Sequence, residues 1–407
     1  MKDFALPGEL MQATPSPALG SAAGEPAELM STVAAPSLPA ARTSVPRLYV
    51  VPLVVFLVSR GLLATLAYAG PHVLGSLRGN HSSLPMHDPL SVLGSWSSPW
   101  FRFDAGWYVG VAQHGYHWGS LGRANTNFFP LYPLLIRVFQ PVTLGSPWIA
   151  SLVVANLSFL GALLLLWRWS LNHFSQDVSL RVVLLTTAFP FAFFFATPYA
   201  EALFLGLATA TFLFAEQDRW VLASCAAGLA ALTRPVGLAV VIALVILALQ
   251  RRSPTRLLLA CSAFLPFLGF VAYLTIAFGH PLGFLTYHSA GWVAPHGGLT
   301  TTIGSQFHTH LSPLDRLDAA LVVAFIGSAF LVWRRLGPAY AAYVLLGVGL
   351  PLAHGLVSME RYVIVLFPVL AAWATWRAKS VQALLFSGSL MLLICATMMF
   401  AAGYSLF

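Results

Sequence analysis

From about residue 48 onward the chain repeats one pattern: a run of about 16 to 23 mostly apolar residues, then a short polar break. Each run can cross a hydrocarbon layer of roughly 30 Å as a helix rising about 1.5 Å per residue. Within lipid, backbone N–H and C=O groups must be satisfied inside the segment itself, so helix is the form such runs take. The runs fall at 48–70, 148–168, 181–197, 199–215, 220–234, 235–250, 256–278, 317–333, 338–355, 359–377 and 381–402. The expected fold class is therefore an all-α, polytopic integral membrane protein with about eleven transmembrane helices. Composition agrees, because 58% of the 407 residues are hydrophobic and 8% charged, against roughly 25% charged in an average soluble domain.

The breaks carry the sidedness. Arg251, Arg252 and Arg256 share one, Arg334 and Arg335 another, and Arg377 and Lys379 a third; Arg168, Arg181 and Arg219 occupy earlier breaks, and Arg42 and Arg47 precede the first run. Basic residues favour the cytoplasmic side, which places the N-terminus there. Residues 1–47, rich in Ala, Pro, Ser and Gly and without periodicity, read as a disordered cytoplasmic tail ahead of a membrane domain at 48–407. The net charge of +8 is dispersed over the breaks rather than gathered on one face, which argues against a nucleic-acid partner. Two outward breaks, about 71–147 and 279–316, are long, and long loops in a compact fold tend to carry function, so the working surface is expected on the outer face of the cell membrane. Cys225, Cys261 and Cys395 lie singly within apolar runs, without the spacing of a disulfide framework or zinc site.

The first outer loop holds Asp104 among Trp96, Trp100, Trp107, Tyr108, Tyr116 and Trp118, with His114 nearby. Asp104 suits the N-terminus of a short helix, where free N–H groups and the dipole favour a carboxylate. It equally suits a catalytic acid ringed by aromatics that could stack on a sugar, although Trp and Tyr also belong to any interfacial belt. Further on, Phe128 to Ile136 contains Pro130 and Pro133, which exclude a regular spanning helix and suggest an interfacial segment bordering an opening for a lipid tail. Arg60, Glu201, Arg234, Glu360 and Arg361 are charged residues within apolar runs. Such groups normally face a polar cavity and mark function, the structural alternative being ion pairs such as Glu201 with Arg234. His280, His288, His296, His308 and His310 in the second loop lack the helical spacing and accompanying acids of a transition-metal site, so no metal ligands are assigned.

Asp104 with Tyr108, Ala112, Gly115 and Tyr116, followed by Phe128-Phe129-Pro130-Leu131-Tyr132-Pro133, resembles the first outer loop of the GPI mannosyltransferase II family, called PIG-V, and its bacterial relatives. The likeness continues through Pro198-Tyr199-Ala200-Glu201-Ala202-Leu203-Phe204, Thr233-Arg234-Pro235-Val236-Gly237, the stretch with Gly279, Pro281, Phe284 and Trp292, and Arg361-Tyr362 with Phe367-Pro368. The chain departs from the pattern at Phe103, where relatives have Trp, at His280, where they tend to have an acid, and at His288, where Gln is frequent. The resemblance implies a GT-C type glycosyltransferase with a long first outer loop carrying juxtamembrane helices, which moves mannose or a related hexose from a polyprenyl-phosphate sugar. The acceptor would be a glycolipid, glycan or protein on the non-cytoplasmic side. No cofactor beyond the lipid-phosphate donor is implied, and metal dependence stays open. In that setting Asp104 is the expected base, with inversion at the anomeric carbon. Arg234 and Arg361, and more distantly Arg60, would grip the phosphate. Glu201 would orient Arg234 or contact sugar hydroxyls, while Tyr108, His114, Tyr116 and His288 would shape the sugar and acceptor pocket. The competing expectation is a membrane transporter or lipid flippase, which embedded charges also serve, although the candidates gather toward one face.

Overall fold

The computed structural model describes residues 45–75, 88–90, 96–118, 124–285, 313–353 and 358–406. The expected disordered tail lies outside these residues except at 45–47, which open the first helix. Most of the second outer loop, including His288, His296, His308 and His310, also lies outside them.

The described chain is helical, with one isolated bridge between Trp118 and Ala124. In order the helices are α1 (Val45–Leu74), α2 (Ala105–His114), α3 (Leu131–Phe139), α4 (Pro147–His173), α5 (Gln176–Ala188), α6 (Glu201–Glu216), α7 (Trp220–Ala231), α8 (Gly237–Gln250), α9 (Pro254–Ser262), α10 (Leu265–Phe278), α11 (Pro313–Leu336), α12 (Pro338–Leu352), α13 (Met359–Val363), α14 (Phe367–Ala374) and α15 (Lys379–Ala401). Every apolar run therefore meets helix, and the protein is a polytopic membrane protein. Among the described residues five spans are long and apolar enough to cross a bilayer: Tyr49–Leu74, Pro147–His173, Pro254–Phe278, Asp315–Leu336 and Lys379–Ala401. Their outer surfaces are apolar where a soluble protein's would be polar; Val58, Ile276, Val323 and Leu384 are all exposed, as a lipid-facing surface requires.

The remaining runs are shorter helices, and proline explains several of the breaks. The run at 181–197 ends as α5 at Ala188, because Pro190 lacks an N–H and clashes with the preceding turn, and it resumes as a 3-10 turn at Ala192–Phe195. The run at 359–377 divides into α13 and α14, with Pro368 in the first turn of the second. Two helix starts are capped by serine ahead of proline: the Ser146 hydroxyl accepts from Ile149 N–H at 3.0 Å with Pro147 at the first helical position, and Ser253 with Pro254 repeats the device at α9.

Packing centres on α4 and α6, with α7 and α8 next to α6, α12 against α8 and α11, and α1 against α15. The Phe-rich turn before α6 fills the middle, since Phe193, Phe194, Phe195 and Tyr199 are fully buried. At the C-terminal end of α6, Glu216 pairs with His173 of α4 at 2.9 Å and accepts from Tyr340 of α12, whose hydroxyl accepts from Trp169 Nε1 at 2.7 Å, so three helices are pinned there.

The opposite end of α6 presents the polar groups described next. Two local features place them. The turn from α7 to α8 folds back tightly at Gly237, where a Cβ would stand 2.3 Å from the Ala230 carbonyl oxygen, so only glycine allows the approach. That turn displays Arg234, and Leu131 N–H donates to the Leu232 carbonyl at 3.0 Å, tying the first loop to it. The segment with Pro130 and Pro133 is the nine-residue helix α3, about 14 Å long, too short to span.

Candidate active site

Asp104 sits at the N-cap position of α2, but its side chain makes no capping hydrogen bond. The carboxylate turns instead to Arg361, with Oδ2 2.5 Å from Nη1. Arg361 Nε donates to Glu201 Oε1 at 2.7 Å, and the same oxygen lies 3.2 Å from Arg234 Nη1. Arg234 Nη1 also donates to the Arg361 carbonyl at 3.2 Å. Four charged side chains from four separate stretches thus form one chain, Asp104 to Arg361 to Glu201 to Arg234, with two charges of each sign. Such a network tolerates burial only because each charge is paired. The side-chain cap expected for Asp104 is absent, and the ion pair expected between Glu201 and Arg234 is one part of a larger network.

Burial is graded along the chain. The Glu201 side chain is fully buried, Arg234 and Arg361 are nearly so, and Asp104 is the most open at 19% exposure. The carboxylate offered as a base is therefore the member with access. Glu201 Oε2 has no hydrogen-bond partner among the described residues. Aromatic faces support both guanidiniums: Arg361 lies 4.7 Å from the Tyr199 ring centroid and 5.5 Å from that of Phe194, and Arg234 lies 4.5 Å from that of Tyr362.

Tyr108 stands in the wall of this site, buried against Phe128, Tyr132 and Tyr199. Burial, with the nearby Glu201 carboxylate, pushes its phenol above the usual range, so it is neutral at physiological pH. The structure does not bring three other candidates to the cluster. His114 ends α2 exposed, ten residues of helix or about 15 Å from its start. The Tyr116 hydroxyl donates to the Phe128 carbonyl at 2.6 Å, and its ring packs on Phe270 and Tyr273. Arg60 donates to Asn156 Oδ1 and the Phe195 carbonyl and lies over Phe159, a separate anchor within the helix bundle. His288 lies outside the described residues.

The aromatic crowd of the first loop is also dispersed. Trp96 stacks on Tyr68, Trp107 on Phe128 and Trp118 on His280. Besides Tyr108, the rings that line the ion network are Tyr199, Phe194 and Tyr362, which the sequence did not mark as site residues. Their signal was adjacency, since Tyr199 lies two residues before Glu201 and Tyr362 directly after Arg361. An apolar groove of about 380 Å³ runs between the C-terminal half of α2, α3 and α10, lined by Val111, Ala112, Tyr116, Pro133, Arg137 and Phe270. Among the described residues no group of three or more His, Cys, Asp or Glu side chains is placed to hold a metal.

Fold and site together define a helical membrane protein with a buried, alternating carboxylate and guanidinium network at one end of its central helix. No protein-family model matches the chain, and no curated protein matches it. Among solved structures it is similar to ArnT from Cupriavidus metallidurans in the apo state, at 15% identity and TM-score 0.43 over 73% of this chain and 70% of that one. The same protein bound to undecaprenyl phosphate is similar at 14% identity and TM-score 0.45, over 88% of this chain and 76% of that one.

Proposed function

We propose that this protein is a GT-C type glycosyltransferase that moves mannose, or a related hexose, from a polyprenyl-phosphate carrier to an acceptor hydroxyl on the non-cytoplasmic side of the membrane. The observation that carries this reading is the network of Asp104, Arg361, Glu201 and Arg234. Each member comes from a different segment of the resemblance to the GPI mannosyltransferase II family, and segments 33 to 257 residues apart meet within hydrogen-bond distance. Structural ion pairs alone would not need the most accessible partner to be a carboxylate beside two guanidiniums.

The chemistry follows from these groups. The acceptor O–H gives its proton to Asp104 as the acceptor oxygen bonds to the anomeric carbon. The bond from that carbon to the phosphate oxygen breaks on the opposite face, its electron pair leaving with the polyprenyl phosphate, so configuration inverts. Arg361 and Arg234 stabilise the phosphate, since a guanidinium presents a planar fork of donors and stays charged when desolvated. Glu201 holds both arginines in register. The apolar groove beside α3 takes the isoprenoid tail, which has no polar groups to satisfy.

The test is transfer by the purified chain in proteoliposomes supplied with polyprenyl-phosphate mannose. Asp104→Asn keeps size and loses the basic charge; transfer should fall by about 10³-fold while the protein stays inserted and monodisperse. Undiminished transfer by that variant would remove Asp104 from the reaction.

A further inference from the structure

The backbone just before Asp104 is unusual. Phe103 has φ +49°, a left-handed conformation that a bulky side chain adopts only when its surroundings impose it. Two contacts impose it here. The Tyr199 hydroxyl donates to the Arg102 carbonyl at 3.1 Å and accepts from the Asp104 N–H at 3.2 Å, bridging the residues on either side of Phe103. Arg102 is buried and donates through Nη2 to the Ala401 carbonyl at 2.6 Å, which fastens the same turn to the end of α15. Meanwhile the Tyr199 ring lies under the Arg361 guanidinium at 4.7 Å. One fully buried side chain therefore touches both halves of the Asp104–Arg361 pair, the hydroxyl gripping the carboxylate's backbone and the ring face supporting the cation.

We infer that Tyr199 is a positioning residue that sets Asp104 against Arg361, its hydroxyl holding the left-handed turn at Phe103 and its ring holding the guanidinium. The turn directs the Asp104 carboxylate away from the cap of α2, where an unconstrained aspartate would bond its own helix N-terminus. Burial leaves the phenol no access to solvent or substrate, so its contribution is geometric. This inference rests on the reading of Asp104 and Arg361 as the reacting pair, because positioning matters to catalysis only if they react.

Tyr199→Phe removes the hydroxyl and keeps the ring, whereas Tyr199→Leu removes both supports. In reconstituted full-length protein, Tyr199→Phe should lower kcat by roughly tenfold or more, as misplacement by about 1 Å can cost 10²-fold, without raising donor KM. Tyr199→Leu should lose donor affinity as well. A Tyr199→Phe variant with wild-type kcat overturns the inference. Independently of activity, a structure of the Tyr199→Phe protein in nanodiscs should show Asp104 moved beyond about 4 Å from Arg361. An unchanged pair would also overturn it. If the pair opens as expected but the wild-type chain consumes no polyprenyl-phosphate sugar, the positioning role stands and the proposed activity fails.

Discussion

The ion pair that builds the site also restrains it, and this gives a prediction whose sign is easily read. An incoming lipid phosphate must compete for Arg361 with Asp104, which already accepts from Nη1 at 2.5 Å. A hydrogen bond between charged, partly desolvated groups contributes roughly 1.5–3 kcal/mol net. At 19% and 9% side-chain exposure this pair lies between a surface bridge and a buried one. Asp104→Asn retains an oxygen that can accept from Arg361 and loses only the charge, so about 1.4 kcal/mol of the competing interaction should disappear. The variant should therefore bind a short polyprenyl phosphate about tenfold more tightly than wild type although its transfer is about 10³-fold slower. Tryptophan fluorescence titration of the purified protein in detergent measures this directly. Unchanged or weaker binding would refute the reasoning, since it would mean that the carboxylate and the phosphate do not share Arg361.

Two further outcomes follow from the same network. Glu201→Gln leaves two buried guanidiniums without their shared carboxylate, which should cost about 3–5 kcal/mol and appear as a lowered melting temperature in differential scanning fluorimetry; adding Arg234→Met should recover part of it. Gly237→Ala forces a Cβ against the Ala230 carbonyl, so the turn carrying Arg234 should open at a cost of about 1–3 kcal/mol, read as a higher donor KM and a lower melting temperature.

Much of the fold was legible because membrane helices obey a local rule: each apolar run must satisfy its own backbone. The runs starting near 48, 148, 317 and 381 became α1, α4, α11 and α15 with boundaries shifted by a few residues. The subdivision at 181–197 and 359–377 was foreseeable from Pro190 and Pro368, yet hydropathy averages over a window and does not register a single missing N–H. At the site, Glu201, Arg234 and Arg361 stood out because an embedded charge is costly and needs a reason, and Asp104 as an acid amid the aromatics of the first outer loop. Arg60 stood out on the same grounds and is held by Asn156 and the Phe195 carbonyl, while His114 and Tyr116, marked by their place in the first outer loop, lie away from the network. Composition identifies a costly group without saying which neighbour compensates it. Tyr199 drew notice only as part of the stretch leading to Glu201: a tyrosine in an apolar run costs little, and its adjacency to Glu201 does not reveal that its hydroxyl holds a turn nearly a hundred residues away.

The sequence by itself determined that the chain inserts in a membrane as helices and which charges must be explained, since both follow from the free energy of placing individual groups in lipid. Only the tertiary structure decided that Asp104 faces Arg361 rather than its own helix, and that one glutamate serves two arginines. Those facts depend on where segments separated by 33 to 257 residues come to rest. That depends on packing between helices, which no single run encodes.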